Sequence, residues 1–249
     1  MKGLIVKDIF CLKKQIVTFA FIISGVVAVA VMFALSGQFG NLSTAASELA
    51  KDGFDIVPVI KTAVMFFMVL PLVCTGNIAD LFVCDKDASF YKVGASLPIS
   101  LHKRVLSKFL TAFVFIALGL AVDVLMSAVI AGVSDIIVYS KCVSTFISLT
   151  ACMMVFVSVV IMLNYAGVPA MYSSFAPVVI AAAALIALNA KRMITAFKND
   201  DFSSMSRVVK SIIASVETKP FLFIAAAVCT AVICYFASVY FAGRKRGVA

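Results

Sequence analysis

Charge is scarce in this chain of 249 residues: Asp, Glu, Lys and Arg make up 13% of it and hydrophobic residues 63%. An ordinary globular domain carries about a quarter charged residues, so the imbalance excludes a soluble enzyme. Histidine is nearly missing too. The single one, His102, excludes an H-E-x-x-H metal site and is placed by the sequence in a loop, away from any Ser/His/Asp triad within a membrane. No G-x-x-x-x-G-K-[ST] loop is present, so the chain has no means of cradling ATP phosphates by itself. The seven cysteines form no C-x-x-C pair and most lie in apolar runs, which argues against both a disulfide framework and a metal centre. No catalytic residue is assigned and no metal is expected.

What is present is long uncharged sequence. No Asp, Glu, Lys, Arg or His occurs from Gln15 to Ser47, from Thr62 to Ala79, from Cys142 to Ala190 or from Pro220 to Gly243. Since roughly 20 apolar residues cross the hydrocarbon layer, these stretches read as bilayer spans. Strand-like alternation is absent, which argues against a barrel. The expected fold class is an all-α integral membrane protein with six transmembrane helices, near 16–36, 58–82, 108–133, 142–165, 168–189 and 220–242. The fourth and fifth spans come from one uncharged stretch broken by turn formers at Asn164-Tyr165-Ala166-Gly167-Val168-Pro169. One transmembrane domain, 1–249, contains them all. The lysine-bearing start precedes a span longer than a signal h-region and is read as retained.

Lys and Arg beside the spans set the direction. A cytoplasmic N-terminus puts twelve of them inside, including Lys2, Lys7, Lys13, Lys14, Lys103, Lys108 and the cluster Arg244-Lys245-Arg246, against nine outside. Both termini are therefore expected in the cytoplasm, in a multi-pass membrane protein. Two segments read as interfacial rather than spanning. Residues 1–14 place Leu4, Ile5, Ile9 and Leu12 at helical spacing, as an interfacial elbow helix. In the extracellular loop 190–219, Met205, Val208, Val209, Ile212, Ile213 and Val216 outline an amphipathic helix with Arg207 and Lys210 on its other face.

Asp123 stands inside the third span, about 22 Å along the helix from Lys108. It is either a functional carboxylate, or a carboxyl that is protonated or paired across helices with Lys61 or Lys141. Pro71 and Pro177 fall within spans, where they shape a translocation path or ease packing. The loop joining the second and third spans, 83–107, is more informative. It has a polar start at Asp85-Lys86-Asp87, an aromatic pair Phe90-Tyr91, then Lys92, a break at Leu97-Pro98, and a basic helix entry through Ile99, Ser100 and Arg104.

At these residues the chain resembles the ABC-2 type permeases, in particular the small six-span group of bacterial peptide and antibiotic exporters such as phenol-soluble modulin and bacteriocin exporter permeases. The resemblance lies in Leu97-Pro98-Ile99-Ser100, in Val105-Leu106-Ser107-Lys108-Phe109, and in the opening Met1-Lys2-Gly3-Leu4-Ile5-Val6-Lys7-Asp8. Where family members carry Asp-Glu-Lys, a small residue, Gly and an aromatic, this chain has Asp85-Lys86-Asp87-Ala88-Ser89-Phe90. The resemblance implies that 83–107 is a coupling loop docking on a separate cytosolic ATP-binding cassette subunit, which holds ATP and Mg. No cofactor is expected on this chain. Phe90, Tyr91 and Ile99 would fill pockets, Asp85, Lys86, Asp87, Lys92 and Arg104 would form rim pairs, and Leu97, Pro98 and Ser100 belong to the same contact. The further partners implied are a second permease copy, identical or different, the lipid bilayer and an amphipathic peptide cargo, without nucleic acid. Two rivals stay open: an ion- or proton-coupled secondary transporter using Asp123, and a non-transporting peptide sensor or immunity protein of the membrane.

Overall fold

The computed structural model describes residues 2–38, 66, 69–75, 79–87, 99–133, 138–169, 172–179 and 220–246. Every regular element among these is helical: α1 Lys2–Cys11, α2 Lys13–Gln38, α3 Ala79–Asp87, α4 Leu101–Val133, α5 Tyr139–Ala166 and α6 Pro220–Arg246. Residues 69–75 and 172–179 are helical as well. Within α4, α5 and α6, the segments Leu101–Gly132, Tyr139–Ala166 and Pro220–Arg244 each contain an 18-residue stretch, of mean hydropathy 2.5, 2.6 and 2.3, and are long enough to cross a bilayer. This is a membrane protein. A fourth crossing would be the pair Gly3–Cys11 and Lys13–Val29, bent by 63° at Leu12. The expected spans 58–82 and 168–189 lie largely outside the described residues, as does the amphipathic helix expected within 190–219.

The bend at Leu12 involves neither proline nor glycine, and the backbone ladder survives it. The Leu12 amide donates to the carbonyls of Asp8 and Ile9, and Ile16 donates to Leu12. Leu12 itself is fully buried and belongs to one apolar core with Leu72, Leu81, Phe82, Val105, Phe109, Ile116, Val160 and Ile161. That core draws on both ends of the 83–107 loop and on α5. It surrounds the charged groups described below.

α4 joins into one helix two pieces that the sequence reads separately, the basic helical entry after Pro98 and the span expected near 108–133. Ser100 marks its boundary, its carbonyl accepting from the amides of Lys103 and Arg104. His102 therefore lies in the first helical turn, not in a loop, with Nδ1 3.2 Å from the Tyr235 hydroxyl on α6. α5 ends where the turn formers predicted. Gly167 adopts φ 103°, its amide bonding back to Leu163 and Asn164 while the amide of Val168 reaches Leu163. These are the paired bonds of a Schellman cap. Asn164 then links across the turn to Ser173 Oγ at 2.8 Å.

Small residues set the helix spacing. Ala227, Ala231, Cys234 and Ser238 form the buried stripe of α6, the helix that packs most extensively on α5. Such residues let backbones approach closely in lipid, where burial of apolar area no longer drives association. The opposite face of α6, with Phe221, Val232, Ile233, Phe236 and Tyr240, is exposed, as suits contact with acyl chains.

On α4, Gly119 marks a close approach to a neighbouring helical stretch. A Cβ there would lie 2.9 Å from Thr75 Cγ2 and 3.2 Å from Leu72 Cα. Because the second contact is backbone, a side chain at 119 must push the helices apart. Gly119→Val is expected to lower the apparent Tm of detergent-solubilised protein by several degrees, whereas Gly132→Val, at a position with open space around it, should leave it nearly unchanged.

Candidate functional site

α1 carries an acid in its apolar stripe. Leu4, Asp8 and Leu12 recur every four residues, and all three are buried. An ionised group in that position needs a counter-charge, and α4 supplies it. Lys108 Nζ lies 2.7 Å from Asp8 Oδ1 and 2.7 Å from Asp85 Oδ2, and donates to the Leu81 carbonyl at 3.3 Å. An ammonium has three donors, and each meets an acceptor. Its remaining neighbour is the ring of Phe82, with Nζ 5.6 Å from the centroid.

Two further residues complete the cluster. Ser107 Oγ donates to Asp8 Oδ2 at 3.1 Å. Lys7 Nζ, on the more open side, lies 3.3 Å from Asp8 Oδ1 and also pairs with Asp85 Oδ1. Two lysines and two aspartates thus make a neutral quartet. Lys108 and Asp8 are 3% and 0% exposed, so solvent does little to screen this pair.

The quartet has a topological consequence. Asp85 lies at the beginning of segment 83–107 and Ser107-Lys108 at its end, so one ammonium closes the segment at its base and fastens both ends to α1. Asp85, expected at the rim of a docking contact, directs its two oxygens to Lys7 and Lys108 within the chain. Of the other expected contact residues, Ile99 and Arg104 are half-buried and Ser100 is exposed. Lys86 and Asp87 belong to α3, with side chains outside the described residues, and Phe90, Tyr91, Lys92, Leu97 and Pro98 lie outside them altogether.

Asp123 occupies a different environment. The buried stripe of α4 runs through Val105, Ala112, Ile116, Asp123, Ser127 and Ile130, so this carboxylate faces the bundle interior. Neither oxygen has a hydrogen-bond partner among the described residues. Lys141, one of the two partners expected from sequence, is exposed at the start of α5 and makes no ion pair with it among the described residues, while Lys61 lies outside them. Buried hydroxyls fare better. Thr150, Ser158 and Ser238 each donate to the carbonyl four residues back at 2.6–2.7 Å, a bond internal to the helix. Pro71 and Pro177 are both buried in helical stretches. Among the described residues no cluster of His, Cys, Asp and Glu could hold a metal ion.

Sequence reading missed the quartet, although the signal was there: an acid at the centre of a 4-8-12 apolar repeat implies a cation elsewhere on a buried face. Replacing Lys108 with Met leaves two buried carboxylates facing each other, and removing one partner of a buried pair costs about 3–5 kcal/mol. Lys108→Met is expected to be strongly destabilised. The double variant Asp8→Asn, Lys108→Met should lose clearly less than the sum of the two single changes, as read from thermal unfolding in one detergent. Additive losses would show that the two residues are not coupled.

Searches with family models, among curated proteins and among solved structures find no match to this chain.

Proposed function

We propose that this chain is the permease subunit of an ATP-driven exporter of the ABC-2 type. It sits in the bacterial plasma membrane with both termini in the cytoplasm and moves hydrophobic or amphipathic peptides, antimicrobial or cytolytic in kind, out of the cell. A separate ATPase subunit docks on segment 83–107 and supplies ATP and Mg, and two permease chains, identical or different, form the path.

The observation that supports this reading best is the position of Lys108. A chain with no phosphate loop needs a handle through which binding energy released elsewhere can shift its conformational equilibrium. A loose loop would absorb such a push. One whose two ends are tied by Asp85 and Lys108, and through Asp8 to α1, passes it to two spans and the N-terminal helix together. Two of the sequence elements that carry the family resemblance, Lys7-Asp8 and Ser107-Lys108, meet in that tie.

The full chain, tagged and purified from its native membrane in mild detergent, should bring with it a subunit that hydrolyses ATP. Replacing Phe90 and Tyr91 together with Ala should reduce the co-purified activity at least tenfold while leaving the yield of the membrane chain intact, because hot spots of an interface are few and often aromatic. Transport by the chain alone in vesicles, driven by an ion or proton gradient with no nucleotide hydrolase present, would overturn the proposal.

A further inference from the structure

Three carboxylates are buried among the residues whose side chains are described: Asp8, Asp85 and Asp123. The first two share two lysines. The third is 0% exposed, and no described side chain or carbonyl meets its oxygens. Burial without a partner is costly for an acid at membrane depth, and such residues mark ligand or ion pathways by default. A hydroxyl in the same helix can turn back onto its own backbone, as Ser127 does onto the Val124 carbonyl at 2.7 Å, but a carboxylate offers acceptors and finds only acceptors in a helix interior.

Placement on α4 narrows what the group faces. Gly119, one turn before Asp123 on the same face, lies close to Leu72 and Thr75 of a neighbouring helical stretch. One turn after Asp123, Ser127 is also fully buried. An acid is therefore set on the inner stripe of a spanning helix, between a close helix contact and a buried hydroxyl that bonds to its own backbone.

From this placement we propose that Asp123 is a binding group for one cationic moiety of the transported molecule, an amine or guanidinium carried by an amphipathic peptide. The cation that completes the site comes from outside the chain, as Lys108 completes Asp8 from another helix. Calling the ligand cargo rests on the export reading above; the binding itself does not, and it is measured without any ATPase.

The protein contains no tryptophan, which gives a clean probe. The full chain is placed in phosphatidylcholine nanodiscs and titrated with a short amphipathic helical peptide of leucine and lysine bearing one tryptophan, then with its analogue in which every lysine is glutamine. Empty nanodiscs correct for lipid partitioning. Wild-type protein should bind the lysine peptide about tenfold or more tighter than the glutamine peptide, in line with a charge-assisted contact. Asp123→Asn should erase that preference and Asp123→Glu should keep much of it, with helical circular dichroism and monodispersity unchanged in both. No preference in the wild type, or an equal preference in Asp123→Asn, overturns the proposal while leaving the ATPase-docking experiment unaffected. If Asp123→Asn does not fold, the comparison of the two peptides on wild type and on Asp123→Glu decides alone: a preference shared by both sustains the proposal, and its absence from the wild type ends it.

Discussion

A single ammonium holds the end of the bundle nearest α1 in register. Lys108 spends its three donors on Asp8 of α1, Asp85 of α3 and the Leu81 carbonyl, so three segments far apart in sequence share one buried charge. A buried ion pair contributes little net stability compared with apolar residues of similar volume, and its established use is to specify one arrangement over others. Leu12, Leu81, Phe82 and Val105 would pack in several registers as plain hydrophobes. With Asp8 and Asp85 both needing the same lysine, one register satisfies all the charges.

Farther along the spans, polarity is handled differently. Hydroxyls at Thr150, Ser158 and Ser238 bond within their own helices, and small side chains on α6 let it lie close to α5. Neither device specifies a partner, and both leave the helices freer to shift than the quartet does. The molecule thus has a charge-locked base and an upper bundle held by close packing. Two buried polar groups of α4, the Thr111 hydroxyl and the Asp123 carboxylate, find no partner among the described residues, and the carboxylate stands out against the care with which Asp8 and Asp85 are satisfied.

Much of this architecture could be read before any coordinates. Uncharged runs marked the long helices, and Gly167 followed by Pro169 marked the end of α5, because a left-handed cap and a missing amide are local effects. The helical entry at Ser100 was legible, but its continuity with the span near 108–133 was obscured by the basic residues His102, Lys103 and Arg104, which sit on the same unbroken helix. Asp85 looked like a surface charge because its neighbours Lys86 and Asp87 are charged too. Its burial depends on Lys108, more than twenty positions away, and no local pattern encodes that pairing. Asp8 was the legible clue, an acid where periodicity calls for a hydrophobe. Asp123 was legible by type and depth, but its want of a partner emerged only from the packing.

The account stands on segment 83–107 facing the cytosol, closed at its base and open to a partner. In a chain whose cysteines are all replaced, a single cysteine introduced at Ala95 reports the side directly. A membrane-impermeant maleimide added to intact cells should leave it unlabelled, and the same reagent should label it after permeabilisation. Labelling from outside in intact cells would place the segment on the wrong face of the membrane and contradict the account.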